Sequence, residues 1–213
     1  MNDLYDLSNI IPVDTIPWEE LYTGIAKSVK YSLLYYGYYD KSIKGSDGNY
    51  LSLEQAEWYK SVKYGDNLKG LAIVLRQPKD LKTSWYTLGE SKNWYDTENC
   101  KHFPELIKWI KDADIFTETG RILFFIQLIG TQTPPHIDDD LSKAPTEYQK
   151  RAEFIWLTNP NNPKQLVVNG KPAGNFAWFN NYKTHATLPS NTTKFSLRID
   201  GKFTENFKKK LDI

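Results

Sequence analysis

Three histidines occur in this chain of 213 residues, and two of them stand in a pattern that suits a metal ion. His136 and Asp138 lie in the run PPHIDDD, just after the apolar stretch Ile122 to Ile129, and His185 follows farther along. In an extended segment, residues two apart point to the same side, so His136 and Asp138 can converge on one ion while Asp139 faces away. A distal histidine would complete a set of two histidines and one carboxylate. Such a facial triad leaves one side of an octahedral ion open for a cosubstrate and oxygen, the arrangement of non-haem Fe(II) oxygenases. A histidine two residues from an acid is common by chance, and the alternative is an exposed loop histidine beside a solvated acidic turn.

The residues after His185 add a second signal. Lys194 opens the stretch Lys-Phe-Ser-Leu-Arg-Ile-Asp, in which Lys194, Ser196, Arg198 and Asp200 share one face of a strand and Phe195, Leu197 and Ile199 the other. Burying cations without partners is strongly unfavourable, so the polar face either meets water, as on an edge strand, or meets an anionic ligand.

At these residues the chain resembles the aspartyl/asparaginyl β-hydroxylase-like branch of the 2-oxoglutarate- and Fe(II)-dependent oxygenases, which includes bacterial hydroxylases of free proline. The resemblance runs from about Phe103 to Phe203, through PELIKWI, ILFFIQLIGTQTPPHID and GNFAWFNNYKTHATLPSNTTKFSLRID. It implies that His136, Asp138 and His185 bind Fe(II) and form the catalytic centre, with 2-oxoglutarate as cosubstrate and O2 as oxidant. It also implies that a basic residue past the distal histidine grips the far carboxylate of 2-oxoglutarate. Lys194 stands there, where this branch commonly carries arginine, whose planar fork binds a carboxylate bidentately. Arg198, four residues on along the same face, is the other candidate, with Ser196 assisting. Arg151, in KRAEFIWL, matches loosely an arginine that family members place near the other end of the cosubstrate.

The elements that must position these residues read as follows. Pro17 opens a helix carrying Leu21, Ile25, Val29, Leu33 and Tyr36, ended by Gly37. Ser52 and Gln55 form a capping-box signal for a second helix to about Lys63. Leu71 to Leu75 read as a buried strand closed by Pro78, and Pro104 starts a helix to about Ala113. After Gly120 the pattern turns to strands, over 121–130, 148–157, 165–169, 176–179 and 192–200, with a turn at Asn169-Gly170. The expected fold class is mainly β (α+β): a double-stranded β-helix, a cupin-like jelly roll, with N-terminal helices packed on one sheet. One domain is expected over 1–213, with 1–120 as mixed scaffold and 121–203 as the jelly-roll half carrying the metal site.

A net charge of +1 and the lack of a basic tract argue against nucleic-acid binding. No window has the apolar length of a membrane span, and the lone Cys100 fits a reducing compartment, so a cytoplasmic, soluble protein is expected. Aromatic residues are 15% of the chain, and Trp156 and Trp178 are expected in the core or at a pocket mouth. The functional expectation is an oxygenase hydroxylating an unactivated C–H of an amino acid, protein side chain or small metabolite. A non-catalytic jelly-roll binding or sensor protein is the alternative; a cupin-type dioxygenase would replace the acid with a third histidine, and a hydrolytic zinc site lacks a His-Glu-x-x-His helix. Neither the substrate nor the oligomeric state is legible.

Overall fold

A computed structural model describes residues 2–28, 32–35, 38–39, 68–78, 94–138 and 153–213. They form a mainly β structure of antiparallel sheets with few helices. The strands are β1 (Leu4–Asp6), β2 (Ser32–Tyr35), β3 (Tyr38–Tyr39), β4 (Leu68–Pro78), β5 (Trp94–Asp96), β6 (Phe116–Gln127), β7 (Phe154–Thr158), β8 (Leu166–Val168), β9 (Lys171–Ala173), β10 (Phe176–Phe179), β11 (His185–Thr187) and β12 (Lys194–Phe203). The helices are α1 (Trp18–Lys27), α2 (Pro104–Asp112) and α3 (Glu205–Leu211).

A large sheet runs in the order β1-β10-β7-β12-β6-β4-β2-β3, with β5 paired to β4, and a small sheet runs β11-β8-β9. From β6 onward the chain passes back and forth between them. β10 returns to the large sheet after β8 and β9 have run in the small one, and β12 returns after β11. The β8–β9 hairpin turns at Asn169 and Gly170, whose φ angles of 47° and 78° both lie in the left-handed region that a two-residue hairpin turn demands.

Alternation along the strands sorts side chains into two layers. On one face of the large sheet, Phe195, Leu197 and Ile199 of β12 join Ile122, Phe124 and Ile126 of β6 and Ile155 and Leu157 of β7. Leu21 of α1, Leu106, Trp109 and Ile110 of α2, and Phe207 and Leu211 of α3 close this core. Trp178 is fully buried in it, so it packs rather than lining a mouth. On the other face, Phe154, Trp156, Ala177 and Phe179 pack against Leu166 and Val168 of the small sheet. The inner face of β12, with Ser196, Arg198 and Asp200, therefore points between the sheets, and all three residues are buried. The solvated-edge reading of that polar row does not hold.

Some expected boundaries shift. α1 ends at Lys27 instead of running to Gly37, and Leu33 lies in β2, paired with Leu71. Ser28 turns extended, and its amide and hydroxyl return to the carbonyl of Gly24, closing the helix, while the SLLY segment farther on pairs with β4 as a strand. β6 spans Phe116–Gln127 rather than 121–130. Its early half pairs with Gly201 to Phe203, and after Gln127 a turn closes as Thr131 donates to the Leu128 carbonyl at 3.0 Å. Leu71 to Leu75 lie inside β4, which ends at Pro78, and β10 and α2 fall where the sequence puts them. The helix expected at 52–63, Val29, Tyr36, Gly37, residues 139–152 and with them Asp139 and Arg151 lie outside the described residues.

Candidate metal centre

Strand pairing brings the triad together. His136 exchanges both backbone hydrogen bonds with His185, at 3.0 and 2.8 Å, so the segment around it continues the small sheet beyond β11. Pro134 and Pro135 precede it and have no N–H to donate, which suits an outer position. The Thr187 amide still finds the Thr133 carbonyl at 3.0 Å. Two residues on, the Asp138 amide donates to the Asn181 carbonyl at 2.9 Å, which fixes the carboxylate beside both imidazoles.

One ligand atom each from His136, Asp138 and His185 lies within 4.8 Å of the others. The Nε2 atoms of His136 and His185 stand 3.5 and 3.3 Å from the same oxygen of Asp138. Nδ1 of His136 lies 2.8 Å from the Pro134 carbonyl and Nδ1 of His185 lies 3.0 Å from the Lys183 carbonyl. A carbonyl oxygen only accepts, so each Nδ1 carries a proton, and in the neutral ring the Nε2 lone pair faces Asp138. Two lone pairs and a carboxylate oxygen cannot share one point without a cation between them. A proton or a metal ion satisfies the arrangement. Orientation of the ligating imidazole by a hydrogen bond from its other nitrogen is the usual support of a metal-bound histidine.

The second oxygen of Asp138 is held from the large sheet. Arg198 donates to it from Nη1 at 3.0 Å, and Asn181 approaches it at 3.5 Å. Nε of Arg198 donates to Asp200 at 2.9 Å, and Arg121 grips the other oxygen of Asp200 at 2.9 Å. The guanidinium also lies over the Phe154 ring, 4.0 Å from its centroid. Burial works against ionised Asp138. The charge of Arg198, together with hydrogen bonds that His136 and His185 donate only when their rings carry a second proton, outweighs it and holds the carboxyl well below its ordinary value.

The polar face of β12 thus divides by position. Arg198 is engaged with Asp138 of the triad and with Asp200 on its own strand. Ser196 is fully buried, and Lys164, from the segment between β7 and β8, reaches it at 3.4 Å. Lys194 is half-buried at the start of the strand, paired in register with Gln127. Sequence reading missed Lys164, which looks like any loop lysine, and Asn181, which reads only as part of a polar turn. Asn181 is buried, and its Oδ1 has no hydrogen-bond partner among the described residues. An orphaned acceptor beside the triad is a place where a ligand's proton donor would be satisfied. The donor set fits a divalent ion such as Fe(II): two imidazole nitrogens and one carboxylate oxygen, gathered on one side.

No protein-family model matches the chain, and no curated protein matches it in sequence. Among solved structures it is similar to a collagen prolyl hydroxylase of Paramecium bursaria chlorella virus-1 in its 2OG complex, at 11% identity and a TM-score of 0.34 over 51% of this chain and 75% of that one. It is similar to a Pseudomonas putida prolyl-4-hydroxylase at 12% identity and a TM-score of 0.31, over 88% and 95% of the two chains. A 2OG-Fe(II) oxygenase family oxidoreductase from Burkholderia pseudomallei matches at 10% identity and a TM-score of 0.36, over 85% and 88%. Superpositions this loose carry no chemistry across, and the donor geometry has to stand by itself.

Proposed function

We propose that this protein is an Fe(II)- and 2-oxoglutarate-dependent oxygenase that hydroxylates an unactivated C–H bond. The observation that carries the reading is the convergence of His136 Nε2, His185 Nε2 and one Asp138 oxygen, with both Nδ1 protons committed to backbone carbonyls. The passage of the chain between two sheets is read as the winding of a double-stranded β-helix, within a single domain whose helices cover the outer face of the large sheet. The narrower kinship with the aspartyl/asparaginyl β-hydroxylase branch belongs to this proposal as well.

When bound, the iron and 2-oxoglutarate would supply the oxidative decarboxylation that turns O2 into a C–H oxidant. The chain's own part is positioning. His136, Asp138 and His185 would hold the metal from one side and leave the other open. Arg198 would keep Asp138 ionised and monodentate by occupying its second oxygen, so its role shifts from cosubstrate anchor to support of the ligand. The far carboxylate of 2-oxoglutarate would lie along the inner face of β12 towards Ser196. The aromatic layer of Phe154, Trp156 and Phe179 excludes water from the deep side of the centre. The substrate is proposed to be an amino acid, a protein side chain or a small metabolite.

Anaerobic addition of Fe(II) and then 2-oxoglutarate to the metal-free protein tests the reading. A visible metal-to-ligand charge-transfer band is expected in the wild type and its loss in His136→Ala. No Fe(II) uptake and no band would move the protein to the non-catalytic binding reading.

A further inference from the structure

Lys164 is an ammonium in the wrong place for a structural lysine. It is only 6% exposed, and among the described residues its Nζ meets the Ser196 hydroxyl at 3.4 Å and the Phe125 ring at 5.5 Å from the centroid, with no carboxylate beside it. A buried cation supported by one long hydrogen bond and a ring face is costly, and a fold retains it when an anion arrives to complete it. Burial also pushes its pKa down to about 7, as expected of a group kept from water and counter-ion. Lys194, the lysine singled out by sequence, is half-buried and has water to solvate it.

Position sharpens the reading. Ser196 and Arg198 are two residues apart on the same inner face of β12, and Arg198 touches Asp138 of the triad. Two strand residues span about 7 Å. That offset is the reach of an extended five-carbon dicarboxylate whose keto-acid end lies at the triad.

We propose that Lys164, assisted by Ser196, receives the carboxylate of an acidic ligand between the two sheets, and that this ligand end is the far carboxylate of 2-oxoglutarate. The identity of the ligand rests on the oxygenase reading above; the carboxylate site itself does not. Lys164 is then the anchor, and Lys194 is not.

Titration calorimetry of the full chain, metal-free and Fe(II)-loaded under anaerobic conditions, tests this with 2-oxoglutarate and with 2-oxobutanoate, which lacks the far carboxylate. Lys164→Met is expected to weaken 2-oxoglutarate roughly thirty-fold, the worth of a charge-assisted hydrogen bond, and to leave 2-oxobutanoate unchanged. Lys194→Met is expected to change either by less than about three-fold. Lys164→Gln, which keeps a polar end for Ser196, covers the case in which the methionine variant does not fold. Equal 2-oxoglutarate affinity in wild type and Lys164 variants, or a large loss confined to Lys194→Met, overturns the inference while leaving the iron site intact. If the wild type shows no charge-transfer band, the oxygenase reading falls. The carboxylate site then stands only if the metal-free chain still binds 2-oxoglutarate in a Lys164-dependent way, and it falls if no such binding is measured.

Discussion

Arg198 joins two carboxylates that belong to different parts of the molecule: Asp138, which enters the site from the small-sheet side, and Asp200, two residues along its own strand. Its side chain is 8% exposed, and Asp200 is almost fully enclosed. Removing such a cation leaves charges with few other partners, so Arg198→Met is expected to lower stability by about 3 kcal/mol in urea unfolding. Its effect on the metal should be separate, a loss of Fe(II) affinity of ten-fold or more, because the ligand carboxylate is no longer held. A variant with unchanged Fe(II) affinity would show that Asp138 needs no such support. Lys164 makes a pH prediction of opposite character. Its folded-state pKa of about 7 lies below its ordinary value of 10.5, so between these values the unfolded chain holds a proton that the folded chain lacks. Stability of the ligand-free protein should therefore rise with pH through that window, by up to about 1.4 kcal/mol per unit from this group, and be flat in this contribution below it. Chemical denaturation at several pH values should show the rise in the wild type and a smaller one in Lys164→Met.

At the scale of elements, α1 and α2 are locked by a cap from outside the capped helix. Glu20 of α1 accepts from the amides of Glu105 and Leu106, at 2.9 and 2.8 Å, at the start of α2, where backbone donors have no partner of their own. Glu20→Ala should cost about 1 kcal/mol by thermal or urea unfolding, and an unchanged midpoint would mean that water replaces the carboxylate freely. Gly24 sits where a Cβ would come within 2.5 Å of the Phe103 ring and 2.8 Å of the His102 carbonyl, so Gly24→Ala should destabilise by about 1–3 kcal/mol despite alanine's higher helix propensity. Such contacts mark the limit of what a sequence discloses. Two-residue alternation made the two faces of β12 legible, and Asn169-Gly170 disclosed the β8–β9 turn, because both are local properties of the backbone. The overrun of α1 past Lys27 came from apolar spacing that suits a helix and a strand equally over a short run. Lys164 and Asn181 gave no signal, since their significance lies in being buried against residues distant in sequence.

For the molecule as a whole, the candidate centre lies where the two sheets meet. His136 and His185 belong to the small sheet, while Asp138 is held by Arg198 of the large one. A metal bound there would tie both together, and binding to the folded state alone raises stability by mass action. Metal at a hundred times its dissociation constant should add about 2.7 kcal/mol in the wild type, seen as a higher melting temperature, and nothing in His185→Ala. The triad's partners in sequence were legible because histidine is scarce and its spacing to the acid is short. The pairing of His136 with His185 was not, because it depends on how the strands are ordered. No helix among the described residues is long and apolar enough to cross a membrane.

The measurement closest to the central claim is anomalous diffraction from crystals grown with Mn(II), an oxygen-stable stand-in for Fe(II). A single peak is expected with His136 Nε2, His185 Nε2 and one Asp138 oxygen as protein ligands, and with Arg198 still on the other oxygen. No peak at this position in metal-saturated crystals, with the histidines and Asp138 paired directly to each other, would contradict the account.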